Sequence, residues 1–371
     1  MKTQLCQELG IEVPIFAFTR SPKVVIEVSR AGGLGVLGAI GYTTDEFAET
    51  IELVHKELDG LPFGVDVVMP AGFVGADSGG MASAAEYHQM LPEEHRNFLN
   101  QLLAEHNVPP LPEGSTAAQA MQGWTDQVSK KQVDIALKYP IKLIANALGP
   151  PPKEVIDLAH QHGVKVAALT GKVKHAKKQV EAGVDIIIAQ GTEAGGHTGE
   201  VSSFVLTPAV VEALAPTPVL LAGGVGSGSQ VAAALAMGAE GCWLGSLWLT
   251  TAEAMESAPV KQRLLDAGYD DTLRSKAVSG KPARQLKTKW TDAWEDPKNP
   301  KPLPMPLQFM LIAEAQSRIH RHVEATGDTT LLMQPVGQIV GRMNEVKPVS
   351  EVMSELKQGM REARDRLNAL G

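Results

Sequence analysis

The chain has 371 residues, 44% of them hydrophobic and 20% charged, the balance of an ordinary globular protein rather than a disordered or fibrous one. A formal net charge of −8 without a long Lys/Arg run gives no electrostatic footprint for nucleic acid or an anionic membrane surface. The first residues carry polar groups where a signal peptide needs an apolar core, and no apolar run of about 20 residues occurs, so a cytoplasmic protein is expected. The two cysteines, Cys6 and Cys242, are read neither as a disulfide nor as catalytic thiols.

Short apolar runs alternate with helical patterns, the sign of βαβ units and a parallel sheet. Eight runs qualify: 13–18, 35–39, 63–69, 141–147, 164–169, 185–190, 218–222 and 241–244. Most are apolar on both alternating faces, as strands covered by helices must be, and the count suits a TIM (β/α)8 barrel of the α/β class. Between them, Thr44-Asp-Glu-Phe opens a helix with a capping residue and first-turn acids, and the helix from Val173 stops at Gly183.

About seventy residues separate Met69 from Tyr139, too many for a simple crossover. We read them as an insertion over about 70–138, with a Gly-rich entrance at 72–80 and a helix over 92–106. The barrel with this insertion then occupies 1–256, and 257–371 form a mainly helical region packing on it. A polar, Pro-rich stretch over 290–306 separates two helical parts of that region. Val352, Met353, Leu356, Met360 and Leu367 lie at helical spacing in a C-terminal helix over 349–370.

The segment Leu220-Leu-Ala-Gly-Gly-Val-Gly-Ser-Gly-Ser-Gln230 is an apolar strand ending in Gly223-Gly224, and Gly245-Ser246 end the next strand. Glycine pairs of this kind either make tight strand-to-helix turns or leave backbone N–H groups open to a phosphate. Two sets after strands seven and eight favour the phosphate site typical of such barrels. The glycines at 32–35 precede a strand and lack the spacing of a dinucleotide fingerprint.

Asp185-Ile-Ile-Ile-Ala-Gln-Gly-Thr-Glu-Ala-Gly-Gly-His197 runs from strand six into a polar loop on the same face. A neutral imidazole at His197 suits a general base near neutrality, Gly195 and Gly196 let the backbone pass close to a flat ring, and the Gln190 amide both donates and accepts. The remaining histidines, His88, His95, His106, His160, His162, His175, His320 and His322 among them, have no metal-ligand companions, and no metal site is expected.

Four stretches resemble the nitronate monooxygenases (formerly 2-nitropropane dioxygenases) and the related FMN-dependent enoyl reductases: Ser29-Arg-Ala-Gly-Gly-Leu-Gly-Val-Leu-Gly38, the loop from Gln190 to Gly199, Ala222-Gly-Gly-Val225 with Gly245-Ser246, and Ser279-Gly-Lys-Pro-Ala-Arg284. The resemblance implies FMN, with its phosphate at Gly223, Gly224, Gly245 and Ser246 and its ring near Gln190 and His197. It also implies a flavin contact at Thr170, and one at Asp66, where the family usually carries Asn. A carboxylate beside the flavin disfavours the anionic reduced form unless something compensates it. The first strand ends Phe16-Ala-Phe-Thr-Arg20 rather than in the family's usual Pro-Met-Ala.

The activity so implied is oxidation of an alkyl nitronate or nitroalkane by O2 to a carbonyl compound and nitrite. His197 then serves as base for the neutral nitroalkane or as an anchor for the nitro group. The alternative is an NAD(P)H-dependent flavin reductase acting on an enoyl thioester or quinone, which the long insertion and C-terminal extension favour. The expected partner is a small-molecule substrate, with NAD(P)H as co-substrate under the alternative. Oligomeric state stays open, a homo-oligomer included.

Overall fold

The structure, a computed structural model, describes residues 1–69, 89–112 and 126–370. The expected Gly-rich entrance at 72–80 and His88 lie outside these residues.

All eight apolar runs become strands of one closed parallel barrel. They are β1 (Ile15–Thr19), β2 (Leu34–Gly38), β3 (Phe63–Asp66), β4 (Leu143–Asn146), β5 (Lys165–Thr170), β6 (Ile186–Gln190), β8 (Val219–Ala222) and β9 (Gly241–Leu244). β1 pairs with β2 on one side (Phe16 with Leu34) and with β9 on the other (Ile15 with Cys242), which leaves no open edge. Alternation divides the side chains. Phe16, Leu34, Val36, Leu143, Ala145, Ala167, Leu169, Ile186, Ile188, Leu220, Ala222 and Trp243 fill the interior, while Phe63, Val65, Ile144, Val166 and Ile187 face the helices.

The amino end of the barrel is plugged. Helix α1 (Gln4–Leu9) sends Leu5, Cys6 and Leu9 into the interior cluster. It is held there by Glu240, just before β9, whose carbonyl accepts from Thr3 Oγ1 at 2.9 Å and whose carboxylate accepts from Leu5 N at 3.0 Å. With this end sealed by apolar side chains, a ligand has the carboxyl end of the strands to enter.

Helices α2 (Pro22–Arg30) and α3 (Thr44–Leu58) cover the first strands. The cap of α3 falls one residue earlier than expected. Thr43, not Thr44, accepts from Glu46 N at 3.0 Å, and the Glu46 carboxylate accepts from Thr43 N at 2.8 Å. The reciprocal box needs an acid three residues after the cap, and from Thr43 that residue is Glu46.

The insertion supplies α4 (Glu93–Glu105) and α5 (Asp126–Ala136). α5 packs on α3, with Ser129 Oγ donating to Val68 O at 2.7 Å and Gln132 Nε2 to Ala39 O at 3.1 Å. α4 instead joins an apolar cluster with the C-terminal region: Leu99, Leu102 and Leu103 bury with Trp290, Trp294, Ile312 and Ile319. Helices α6 (Lys153–Gln161), α7 (Val173–Glu181), α8 (Ser203–Leu214) and α9 (Gly228–Ala236) complete the ring.

After β9 come α10 (Ala258–Leu265), β10 (Thr272–Ser275), β11 (Ala283–Leu286), α11 (Lys289–Glu295), α12 (Leu307–Thr326) and α13 (Val349–Asn368). One expectation needs correction. The polar stretch begins at Asp296 rather than Trp290, because Trp290 and Trp294 bury one face of α11. The C-terminal region also supplies β10 and β11 to a three-stranded antiparallel sheet, β10-β11-β7, whose third strand β7 is Gly196–His197. Among the described residues no helix is long and apolar enough to cross a membrane.

α13 docks as its spacing predicts, through Val352, Met353, Leu356 and Met360, while Leu367 is 54% exposed. Its backbone lies so close to α9 that a Cβ at Gly228 would sit 2.1 Å from Leu356 O. Truncating Leu356 to Ala leaves a cavity the packed helices cannot close. The expected loss is about 2–5 kcal/mol, read from the urea midpoint at unchanged m-value. A loss below about 1 kcal/mol, the range of surface substitutions, would mean that the helix is not anchored at this position.

Candidate active site

The carboxyl end of the barrel gathers most of the singled-out residues. Alternation from Gly64 and Ile188 turns Asp66 and Gln190 toward the barrel axis. Beside them Phe18 of β1 stacks on Trp243 of β9, ring centroids 6.1 Å apart and planes 19° from parallel. Asp66 is buried, and burial alone pushes its carboxyl up to about 7. Among the described residues nothing hydrogen-bonds either its carboxyl or the Gln190 amide.

His197 is presented by backbone pairing. β11 runs antiparallel to β7, with Ala283 opposite His197 and Arg284 opposite Gly196. This pairing brings the turn before β11 against the imidazole, where Ser279 Oγ lies 2.6 Å from Nε2. Ser279 Oγ also accepts from Lys281 N at 3.3 Å, so the hydroxyl is itself oriented. One ring nitrogen is thereby engaged, and Nδ1 has no hydrogen-bond partner among the described residues. Burial, with the Lys281 ammonium nearby, pulls His197 down from 6.5 to about 4, so the ring is neutral at physiological pH.

The rest of the loop is held by carbonyl contacts. Arg284 Nε donates to Thr192 O at 2.8 Å, Arg274 donates to Thr198 O at 3.3 Å, and Gln338 N donates to Glu193 O at 2.9 Å. Glu193 does not face the mouth, because its carboxylate accepts from Ser203 N and Oγ at the start of α8, at 3.0–3.1 Å. Gly195 packs against the backbone of Val336 and Gly337, whereas Gly196, with φ +75°, has open space where a Cβ would stand.

The ends of β8 and β9 form the glycine cradle. Gly223 and Gly224 have φ of +97° and +75°, a left-handed conformation that side chains disfavour. The amides of Gly223, Gly224 and Gly245 donate to no other group among the described residues. Ser246 Oγ accepts from Gly337 N at 2.8 Å, which leaves its O–H to donate. Gln230, in the first turn of α9, ties the loop down by donating to Gly224 O at 2.6 Å and accepting from Gly226 N at 2.9 Å.

Asp66, Gln190, Gly195, Gly196, His197, Gly223, Gly224, Gly245 and Ser246 thus lie on one rim. Thr170 does not join them through its side chain. Alternation from Leu169 turns it toward the helices, and its hydroxyl bonds the backbone of Lys172 at 3.1 and 3.3 Å. Ser279, Lys281, Arg274 and Arg284 were given no role from sequence, although the segment Ser279–Arg284 stood out as a motif. A groove of about 930 Å³ between α9 and α13 holds Ser227, Arg342 and Leu356 but neither His197 nor Asp66.

The remaining candidates have structural partners. His95 Nε2 lies 3.0 Å from Lys301 O, and His160 Nε2 lies 2.9 Å from an Asp185 carboxylate oxygen. Cys242 is fully buried, and desolvation pushes its thiol far above the usual range.

The family model of the nitronate monooxygenases matches residues 2–359. A protein of Mycobacterium tuberculosis named as a monooxygenase is 44% identical over 362 residues, covering 96% of both chains. The crystal structure of nitroalkane oxidase from Streptomyces ansochromogenes superimposes with a TM-score of 0.79 at 27% identity, covering 96% of this chain and 98% of that one. FabK from Thermotoga maritima shares the fold, with a TM-score of 0.74 at 24% identity over the full length of both chains. Matched by the family model over nearly its whole length, the chain belongs to the nitronate monooxygenase family and is an oxidoreductase.

Proposed function

We propose that the protein is an FMN-dependent monooxygenase that oxidises alkyl nitronates with O2 to a carbonyl compound and nitrite. The observation that carries this reading is the presence, on one rim, of a neutral histidine and a glycine cradle with free backbone donors. The residues fit FMN. The amides of Gly223, Gly224 and Gly245 with the Ser246 hydroxyl would hold its phosphate, aided by the helix N-terminus nearby. The ring would lie across the barrel mouth against Gln190, Asp66 and the open face of Gly196. When bound, FMN supplies the redox chemistry, taking electrons from the nitronate and passing them to oxygen.

The chain's own contribution is binding, orientation and charge control. A nitronate is already an anion, so oxidising it needs no proton abstraction. Neutral His197 is fixed through Nε2 by Ser279 and keeps Nδ1 without a hydrogen-bond partner among the described residues, and Lys281 adds a positive field that favours the anion. An imidazole whose conjugate acid has a pKa near 4 is a weak base for a neutral nitroalkane, which favours the nitronate as substrate.

The purified protein is expected to be yellow and, mixed anaerobically with an alkyl nitronate, to lose its oxidised-flavin absorbance. NADH and NADPH are expected to leave the colour unchanged. Bleaching by a reduced nicotinamide but not by nitronate would instead establish the enoyl or quinone reductase.

His197→Asn separates the roles of the histidine. FMN content should stay at the wild-type level, and kcat/KM for a nitronate should fall about 10- to 100-fold, the worth of a hydrogen bond to a charged group. A base role would show as a larger loss, about 10² to 10⁴, confined to the neutral nitroalkane. Equal losses on both substrates leave His197 as an anchor alone, and wild-type rates on both remove it from the reaction.

A further inference from the structure

Asp66 is an acid whose carboxyl has no hydrogen-bond partner among the described residues, at the carboxyl end of the barrel. It is 3% exposed, turned toward the barrel axis, and paired in register with Gly38 and Ala145, neither of which offers a side-chain donor. The nearby amide of Asn146 is spent on Met69 N and O and on Gly149 O, all at 2.8–2.9 Å. Among the described residues, the flanking elements at this end of the barrel carry few charged or titratable groups. Arg20 follows β1 and lies along Gly38 and Gly41, Lys172 follows β5, and Glu193, His197 and Lys281 stand on the β6 side. Burial is what raises the Asp66 carboxyl, to about 7.

A buried carboxylate without a donor is strongly disfavoured, whereas the neutral acid needs only an acceptor for its one O–H. The pyrimidine edge of a flavin carries carbonyl oxygens that accept. A neutral acid also avoids the repulsion that a carboxylate would exert on the anionic reduced flavin. We propose that Asp66 meets the flavin ring as a protonated carboxylic acid that donates a hydrogen bond to it, and that loss of this proton weakens flavin binding and makes the flavin harder to reduce. The inference rests on the FMN reading above. It gives this chain a proton-dependent flavin contact in a place where an amide would be insensitive to pH.

The test is FMN release from the purified holoprotein, followed by the fluorescence of freed FMN across a dilution series at pH 6, 7 and 8. If only the neutral acid binds, Kd should rise about tenfold between pH 6 and pH 8. Asp66→Asn keeps the shape and removes the proton, so its Kd should change less than about twofold over the same range. The second ionisation of the FMN phosphate acts in both proteins and cancels in the comparison. The midpoint potential, measured by dye equilibration, should fall more steeply with pH in the wild type than in the variant. Parallel Kd and potential profiles in the two proteins would overturn the Asp66 proposal while leaving the flavin reading intact. A wild-type protein that holds FMN at none of these pH values would overturn both.

Discussion

The antiparallel pairing of β11 with the two residues Gly196 and His197 is the contact on which the site depends. Without it the loop after β6 would still be held through Glu193 and Gln338, but His197 would have no defined direction. With it, His197 acquires a defined direction, Ser279 is carried to 2.6 Å from the ring, and Arg284 reaches back to Thr192 O. A single ladder of this kind is weak in isolation. It persists because β11 is part of a larger assembly: Leu286 and Ala277 bury with Trp290, Trp294 and the helix α12. Apolar packing well away from the mouth therefore sets the orientation of the histidine.

The same logic links the loops to one another. Val336 and Gly337 press against Gly195, Gln338 donates to Glu193 O, and Gly337 N donates to Ser246 Oγ. One short segment of the C-terminal region thus touches both the histidine loop and the glycine cradle. The relative position of the two is set by hydrogen bonds to a third element, as a bound ring and a bound phosphate at fixed separation require. This segment closes against the barrel near the point where α13 docks on α9, so the stability of the C-terminal helix and the geometry of the site share elements.

Much of this was legible in the residues and some was not, for physical reasons. The eight strands were readable because each is an apolar run buried on both faces, and in the fold their alternation turns Asp66 and Gln190 inward. The placement of the glycine pairs was readable because each follows an apolar run at the end of a strand. β7 and β11 were not readable. Two residues have no periodicity, and Ala-Arg-Gln-Leu has no apolar pattern, since this strand is defined by its distant partner rather than by a face. The roles of Ser279 and Lys281 were hidden for the same reason, because about eighty residues separate them from His197 in the chain. Thr170 failed differently: a hydroxyl at a strand end can satisfy itself on the local backbone, and here it does.

Asp66 and His197 show how the site handles charge. Free in water near pH 5 an aspartate is ionised and a histidine protonated, whereas in the fold each is neutral. The carboxyl rises from 3.8 to about 7 and the imidazole falls from 6.5 to about 4. The signs oppose each other in the stability balance. A raised carboxyl favours the folded state at low pH, and that contribution is lost as pH climbs toward 7. A lowered imidazole favours the folded state above 6.5, and that contribution is lost as pH falls toward 4. Near pH 5 the folded pair holds one proton, on Asp66, and the unfolded pair also holds one, on His197, so unfolding moves the proton without a net uptake. The fold can therefore keep both groups discharged at the mouth without making its stability steep in pH over this range. A mouth emptied of permanent charge at these two positions leaves the electrostatics of the reaction to Lys281, to the backbone donors of the cradle and to the charges the ligands bring with them.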